Sequence, residues 1–460
     1  MKIQVAVEVA AWARLLALCA FVPLMLAASV EAQAPHYDLL VKGGHVIDPA
    51  NRIDAVMDVA VSSGKIAAVG KDIQASAAGK VVDASGFYVT PGLIDIHVHV
   101  GNGGALPNWY KPEARAHIAP FGVPADLFLT YGVTTVVDAG SHGADNFLTL
   151  KQAVMDHAKV HVLAFLNIVA DGMNGGLEQD VDQMDAQRCI ETIKKYPSEI
   201  VGVKTAHYWT EKPWDELHRP WTAVDRAEEC GRATGLPVMM DFWPRPPERS
   251  YDELILSKMR PGDIHTHVFA QQFPIILENG KVNPIMFEAR KRGVIFDVGH
   301  GAASFWFRNA VPAVEQGFLP DSISTDAHLG SIITPGVTMT NVMSKFLAMG
   351  VPLEDVIRRT TVNPAREIHR PELGTLSVGR PADIAVLQVL RGHFSYMDDG
   401  YARLNGDAQL IARMTMVGGR ILYDPSGLSM VEWPKAPKQY FTPPKLGGDP
   451  GSKADNYPRQ

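Results

Sequence analysis

The stretch TPGLIDIHVHV, residues 90–100, is an apolar run that opens with a Pro-Gly pair and ends in two histidines, His97 and His99. Short apolar runs bounded by glycine or proline are typical of parallel strands that are buried on both faces. Seven more such runs follow, separated by stretches long enough for helices, at residues 132–140, 159–169, 199–207, 236–243, 262–269, 293–301 and 321–328. Eight strands alternating with helices predict an α/β protein with a (β/α)8 barrel, and an open doubly wound sheet is the alternative.

The positions of the polar residues favour the barrel, because nearly every run carries them at its C-terminal end. In a (β/α)8 barrel these ends meet at one mouth, where catalytic residues lie. The ionisable residues at or near these ends are His97, His99, Lys204, Asp241, His265, His267, His300 and Asp326. Side chains alternate along a strand, so His97 and His99 share a face, and His265 is predicted to lie deeper on the face of His267. Burying such groups singly is costly, and a metal ion would satisfy most of them together.

Two β-rich regions flank the barrel runs. Residues 34–89 and 372–432 contain short strand-like segments separated by turns, and half-sheets from opposite chain ends can pair into one domain. We therefore predict a composite β-sandwich from these two segments and a barrel from residues 90–371. Residues 433–460 are rich in Pro, Lys and Gly without apolar periodicity, which predicts a flexible tail.

The N-terminus resembles a targeting segment. An apolar run, Leu15–Ala28, follows Arg14 and is succeeded by small residues, which predicts a signal peptide over residues 1–33 with cleavage near Ala32 or Ala34. The run is short for a membrane span, and a membrane anchor is the alternative. We expect a periplasmic or secreted protein without stable membrane insertion.

Composition excludes several classes of protein. The 460 residues include 46% hydrophobic and 20% charged residues, which is typical of globular chains and unlike disordered ones. With 43 Lys plus Arg against 50 Asp plus Glu, the net charge of −7 disfavours a nucleic-acid partner. Three cysteines cannot build a disulfide scaffold, and the sequence leaves open whether Cys189 and Cys230 pair.

Several motifs together resemble those of the amidohydrolase superfamily, in particular the amidohydrolase/deacetylase branch related to D-aminoacylases and dihydroorotases. The motifs are PGLIDIHVHV, GVTTVVDAG, GVK, RPGDIHTHVF, FDVGHGAASF, STDAH, NPAR and LGTLSVGRPADIAVL. The resemblance extends from about Asp38 to Tyr423. It implies a barrel joined to a small β-sandwich made from both chain ends, and we expect a homo-oligomer.

The resemblance also implies a site for two divalent metal ions. The two histidines of the first strand and the aspartate of the last would hold one metal, and here these are His97, His99 and Asp326. A lysine of the fourth strand, carboxylated by CO2, would bridge to the second metal, and Lys204 stands at this position. Without carboxylation the lysine ammonium has no lone pair to offer.

The second metal position departs from the family pattern. His267 matches the histidine of the sixth strand, but Asp241 stands where the fifth strand should supply a histidine. Asp241 either ligates the second metal or points elsewhere and leaves that metal weakly bound or absent. We expect zinc, and an additional carboxylate would also suit manganese.

The predicted reaction is hydrolysis of an acylated small molecule by a metal-activated water. The bond is an amide, as in an N-acyl or N-acetyl amino acid, or an ester. Asp326 would move the proton, and His300 would polarise the carbonyl or hold a substrate carboxylate, or else serve only its loop. The alternatives are a cyclic amide hydrolase of the dihydroorotase or hydantoinase kind and an exported binding protein without catalysis. Lys204 argues against a deaminase with a single metal.

Overall fold

A computed structural model describes residues 36–101, 122–173, 178–205, 207–333 and 335–441. The predicted signal peptide and the last part of the predicted tail, from residue 442, lie outside these ranges. Within them the chain forms one mixed sheet and one parallel sheet.

The mixed sheet is assembled from both ends of the chain. Its strands are β1 (Tyr37–Asp48), β2 (Ile53–Ser62), β3 (Lys65–Gly70), β4 (Ala78–Asp83), β5 (Tyr88–Pro91), β13 (Ile384–Met397), β14 (Arg403–Val417) and β15 (Arg420–Tyr423). They run in the order β15-β14-β13-β5-β1-β2-β3, and β4 pairs with β1 in parallel. Apolar side chains of both segments, such as Val41 and Met414, share one core. The expected union of the two chain ends is confirmed.

The parallel sheet contains seven strands in chain order. They are β6 (Leu93–Val98), β7 (Val133–Gly143), β8 (His161–Asn167), β9 (Ile200–Lys204), β10 (Val238–Met240), β11 (Ile264–His265) and β12 (Ile295–Phe296). The eighth run lies between β12 and β6, where Ser322 bridges Asp297 and Ala327 bridges Val98, both in parallel. The strands therefore close into the predicted (β/α)8 barrel, and the open sheet is excluded.

Helices surround the barrel, and apolar side chains fill it. The helices are α1 (Phe147–Leu150), α2 (Ala186–Lys195), α3 (Thr222–Thr234), α4 (Tyr251–Glu253), α5 (Pro284–Lys291), α6 (Phe307–Glu315), α7 (Leu329–Ile333), α8 (Met339–Ala348), α9 (Leu353–Arg358) and α10 (Val362–Glu367). Inside the barrel, Ile96, Phe165 and Met239 pack against Ala365 and Ile368 from the α10 region. The polar ends of the strands are left at the opposite mouth.

The mixed sheet is tied to the barrel by polar contacts. The backbone N–H of Leu410 in β14 donates to Ser344 Oγ of α8 over 2.9 Å, and His161 Nε2 of β8 lies 2.9 Å from Asp383 Oδ2. The long β13-β14 hairpin thus packs on a helix of the barrel.

The two described cysteines lie side by side in the core. Cys189 of α2 and Cys230 of α3 are buried and not joined by a disulfide, and a hydrogen bond between the thiols raises the pKa of Cys189. Among the described helices, none has the length and apolar character required to cross a membrane.

Candidate metal centre

A cavity of about 550 Å³ opens at the C-terminal mouth of the barrel. Its walls comprise His97, His99, Met173, Glu178, His207, Asp241, His267, Asp326, His328 and Gly330. Lys204 lies just beneath, with Nζ 3.3 Å from Asp241 Oδ2. The structure therefore brings together all the residues predicted to bind metal, although they come from the runs of four strands and from the eighth run.

One side of the cavity holds His97, His99 and Asp326. Asp326 Oδ1 lies 3.1 Å from His99 Nε2 and 3.5 Å from His97 Nε2. One potential ligand atom from each of His97, His267 and Asp326 lies within 4.8 Å of the other two. Such a spacing fits a single divalent ion, whose bonds to nitrogen and carboxylate oxygen are about 2.0 to 2.2 Å long.

The other side is organised around Asp241, whose carboxylate points into the cavity. Its Oδ2 lies 3.4 Å from His267 Nε2, and its Oδ1 lies 2.8 Å from His207 Nε2. Lys204 Nζ is 3.5 Å from His97 Nε2 as well as 3.3 Å from Asp241 Oδ2. The lysine nitrogen thus lies between the two groups of donors.

Hydrogen bonds on the outer side of the histidines orient their rings. His267 Nδ1 donates to the carbonyl of Gly299 over 2.6 Å. His97 Nδ1 lies 2.7 Å from Thr266 Oγ1, and this hydroxyl gives its only proton to Asp297 Oδ2 over 2.9 Å. The hydroxyl must therefore accept from His97 Nδ1. In the neutral form of both histidines the proton therefore lies on Nδ1, and Nε2 offers its lone pair to the cavity, as a metal ligand requires.

The backbone around β11 departs from the regular strand pattern. The strand ends at His265, and His267 has a left-handed backbone with φ 58°. His265 consequently faces away from the ligands and packs between Tyr251 and Phe273, with ring centroids 5.4 and 4.6 Å away. The prediction that His265 and His267 share a face was wrong, because the strand ends at His265 and regular alternation does not continue to His267.

The electrostatics of the cavity favour ionised carboxylates and a neutral His97, whereas at His267 burial opposes the charged form but Asp241 raises the pKa. Burial opposes ionisation of Asp326, yet His97 and His99 lower its pKa below the usual range. Burial likewise opposes ionisation of Asp241, and His207 and Lys204 hold its pKa well below the usual range. Burial together with the charge of Lys204 lowers the pKa of His97. Ionised carboxylates and a neutral imidazole are the forms in which these side chains ligate.

His300 does not reach the cavity in this structure. Its ring is fully buried and stacks on Phe305 with centroids 4.5 Å apart. Nε2 lies 2.6 Å from Lys345 Nζ, and Nδ1 donates to the carbonyl of Gly301 over 3.0 Å. Both ring nitrogens are engaged, so the predicted contact with substrate is not available. The position directly after a strand indicated a cavity residue, but packing against Phe305 turns the ring inward.

Sequence reasoning did not single out two ionisable residues of the cavity wall, His207 and Glu178. His207 ends the fourth run, and Asp241 raises the pKa of this imidazole to about 9. Glu178 precedes α2 in a loop with no strand pattern, and burial raises its pKa. The proximity of His207 to Lys204 was a usable signal, whereas nothing local marks Glu178. His328, two residues after Asp326, also lines the cavity, with its ring 6.5 Å from that of His99.

Comparisons with known proteins agree with the geometry. A profile described as "Amidohydrolase family" matches residues 294–423. A protein of Brucella anthropi named deacetylase is 32% identical over 368 residues, which is 78% of this chain and 85% of that protein. A solved structure of an adenine deaminase has a TM-score of 0.74 at 28% identity, covering 84% of this chain and 100% of the other. A solved dihydroorotase has a TM-score of 0.68 at 26% identity, covering 84% and 99%.

Proposed function

The chain belongs to the amidohydrolase family and is a hydrolase of carbon–nitrogen bonds, and we propose that it removes the acyl group from an N-acylated small molecule. N-acetyl amino acids are the primary substrate class, and acetyl esters are the secondary one. The similarity to a protein named deacetylase over most of its length supports the choice of an acetyl group.

The observation that carries this proposal is the convergence of oriented donors at the barrel mouth. In their neutral forms His97 and His267 present the lone pair of Nε2 to the cavity, because their Nδ1 atoms donate to Thr266 and Gly299. Asp326 and Asp241 add carboxylates on the two sides of Lys204. The donor set fits divalent metal ions, with His97, His99 and Asp326 at one position and Asp241 and His267 at the other. A bound metal would polarise the scissile carbonyl and lower the pKa of water.

Carboxylation of Lys204 by CO2 is part of the proposal. Its Nζ lies within 3.5 Å of both His97 Nε2 and Asp241 Oδ2, and it also donates to the carbonyl of Ala139. An ammonium group between two sets of ligands would repel cations, whereas a carbamate offers two oxygens to the same space. We favour zinc, and manganese would also suit the carboxylate-rich site.

Asp326 is the residue that we assign to proton transfer. Its Oδ1 faces His97 and His99, whereas its Oδ2 lies above Gly301, where a Cβ would be only 2.3 Å away. Because Gly301 has no side chain, Oδ2 fits against the turn without a clash, and we assign this oxygen to accept a proton from the attacking water. The same atom then returns the proton to the leaving nitrogen or oxygen.

The test combines metal analysis with a substrate screen. Protein produced with added Zn²⁺ or Mn²⁺ is expected to hold two equivalents of metal by mass spectrometry and to hydrolyse N-acetyl-D- or L-amino acids or acetyl esters. Chelation should abolish the activity, and restored metal should return it. A wild-type protein that binds no metal and hydrolyses none of these compounds would instead support an exported binding protein.

Lys204→Ala provides a sharper test of the bridging role. We expect loss of the second metal and of activity, with partial recovery when a short-chain carboxylic acid supplies the missing oxygens. Lys194→Ala, at an exposed position of α2, is the matched control and should behave as wild type. Full metal content and a wild-type rate in Lys204→Ala would contradict a carboxylated lysine.

A cyclic amide hydrolase is the second candidate. The likeness to a solved dihydroorotase, which covers 99% of that chain, favours it. Including hydantoins and dihydropyrimidines in the same screen separates the two functions, because ring opening and deacylation release different products.

Export and oligomerisation complete the proposal. The apolar run Leu15–Ala28 supports a signal peptide, and an exported enzyme fits a scavenging role for acylated compounds. N-terminal sequencing of the mature protein is expected to begin after Ala32 or Ala34, and an intact Met1 on soluble cytoplasmic protein would oppose export. Light scattering is expected to report a homo-oligomer.

A further inference from the structure

We propose that Lys345 is a positioning residue that acts through His300 to hold the Gly299–Gly301 turn, and thereby His267 and Asp326, in place. The inference rests on the proposed function, since it concerns the residues assigned to bind metal. It links the metal centre to a helix and a hairpin that contribute nothing to the cavity wall.

Lys345 is a lysine in an unusual place. It lies in the middle of α8 and is fully buried. Its Nζ donates to His300 Nε2 over 2.6 Å and to the carbonyl of Met397, in the β13-β14 hairpin, over 2.7 Å. Nζ also lies 5.5 Å from the centre of the Phe305 ring, which adds a cation–π contact. A single ammonium group thus joins a barrel helix, the hairpin of the mixed sheet and the turn after β12.

His300 connects Lys345 to the turn through its two ring nitrogens. Its Nε2 accepts a hydrogen bond from Lys345, and its Nδ1 donates to the carbonyl of Gly301 over 3.0 Å. The turn is also bonded to the eighth run, because the backbone N–H of Gly301 donates to the Thr325 carbonyl over 2.8 Å. The side chain and the backbone therefore define one conformation of residues 299–301.

The Gly299–Gly301 turn contacts two of the proposed metal ligands, His267 and Asp326, and orients them. The carbonyl of Gly299 accepts the bond from His267 Nδ1 over 2.6 Å. A Cβ at Gly301 would lie 2.3 Å from Asp326 Oδ2, so the carboxylate rests directly on the turn. Gly299 and Gly301 adopt φ values of 46° and 59°, which only glycine accepts readily. A shift of the turn would displace His267 and Asp326 together.

Burying the ammonium group of Lys345 costs free energy, which indicates that this residue does more than fill space in the core. Desolvation lowers the pKa of Lys345 to about 8. Asp399, at the tip of the hairpin, lies nearby, with Oδ2 3.8 Å from His300 Nδ1 and accepting from the backbone N–H of Phe305. Burial raises the pKa of Asp399 to about 7, so this carboxyl group offsets the lysine charge only in part. A well-packed apolar side chain would fill the same space at no such cost, so stability alone does not explain a cation here.

The test is a double-mutant cycle on Lys345→Met and His300→Phe. Each single variant removes one partner, and the double variant replaces both by apolar groups of similar size, which a buried site tolerates best. Ser344→Ala is the control, because it removes a neighbouring contact between α8 and the hairpin without touching His300. Metal affinity is measured by chelator competition, with kcat and KM on the deacylation substrate and thermal denaturation in parallel.

We expect Lys345→Met to weaken metal binding about tenfold or more, the effect of losing outer partners of ligands, and to lower kcat more than KM. The double variant should fold and lose no more metal affinity than the more strongly affected single variant. Both substitutions remove the same hydrogen bond, between Lys345 and His300, so their effects do not add. Ser344→Ala should lose thermal stability only. If a single variant fails to fold, the metal affinity and kcat of the double variant test the inference.

Wild-type metal affinity and kcat in the double variant would overturn the inference, as would losses that simply add. An equal loss of metal in Ser344→Ala would also overturn it, because the effect would then come from docking of the hairpin. A wild-type protein that neither binds metal nor hydrolyses substrate overturns the proposed function and the inference with it, and this result is seen before any variant is made.

Discussion

Replacing Thr266 by valine tests the orientation of His97 with little change of shape. Valine keeps the volume of threonine but removes the hydroxyl that accepts from His97 Nδ1 over 2.7 Å and donates to Asp297 Oδ2 over 2.9 Å. Asp297 retains the hydroxyls of Ser322 and Ser324, each at 2.7 Å. The loss therefore falls mainly on the histidine.

The magnitude follows from the burial of His97. An unsatisfied buried donor costs about 1 to 3 kcal/mol, so the free energy of unfolding should fall by about that amount. The ring is then free to place its proton on Nε2, and this tautomer offers no lone pair to the cavity. We expect metal affinity to fall about 10- to 100-fold, equivalent to about 1.4 to 2.8 kcal/mol.

The assay is chelator competition for metal affinity, with urea denaturation for stability. Ser322→Ala is the matched control, because it removes a donor from the same aspartate and leaves His97 untouched. We expect the control to lose stability without a change in metal affinity. Equal metal affinities in Thr266→Val and the wild type would refute the assignment of Thr266 as the residue that sets the tautomer of His97.

Two further predictions address proton transfer and pH. Asp326→Asn keeps one ligating oxygen but cannot accept a proton. We therefore expect most metal to remain while kcat falls by a factor of about 10² to 10⁴. An unchanged kcat at full metal occupancy would exclude Asp326 as the base. The hydrogen bond to Asp383 raises the pKa of His161 in the folded protein. The pair therefore stabilises the fold fully below the unfolded pKa of about 6.5 and loses this contribution as the pH rises through the folded value. His161→Gln should lower the denaturation midpoint at about pH 5.5 more than at about pH 9, and an equal loss at both would contradict the linkage.

The barrel could be predicted because its pattern is local and repeated. Each strand of the barrel is covered on both faces, so each appears in the sequence as a short apolar run with a polar end. The proposed ligand residues at those ends, from His97 to Asp326, could be found because ionisable groups are rare in such surroundings. The second domain was visible for a similar reason, since the strand texture before residue 90 returns after residue 372.

Other features depend on contacts between segments far apart in the chain. The face of His265 was predicted from strand periodicity and the role of His300 from the resemblance. Yet β11 ends at His265 and β12 ends at Phe296, and packing against Tyr251, Phe273 and Phe305 decides where the two rings point. Glu178 had no local signal at all, because a loop residue acquires its position from the whole barrel.

The residue types at the strand ends are visible in the sequence and indicate the barrel, and the motifs around them imply the chemistry of a metal-dependent hydrolase through their resemblance to amidohydrolases. The ring nitrogen of His97 and His267 that faces the cavity, and the contact of Lys345 with His300, are visible only in the folded chain. The physical reason is that strand runs follow from local burial patterns, whereas a tautomer or a buried charge depends on the one partner that the fold places within hydrogen-bond distance.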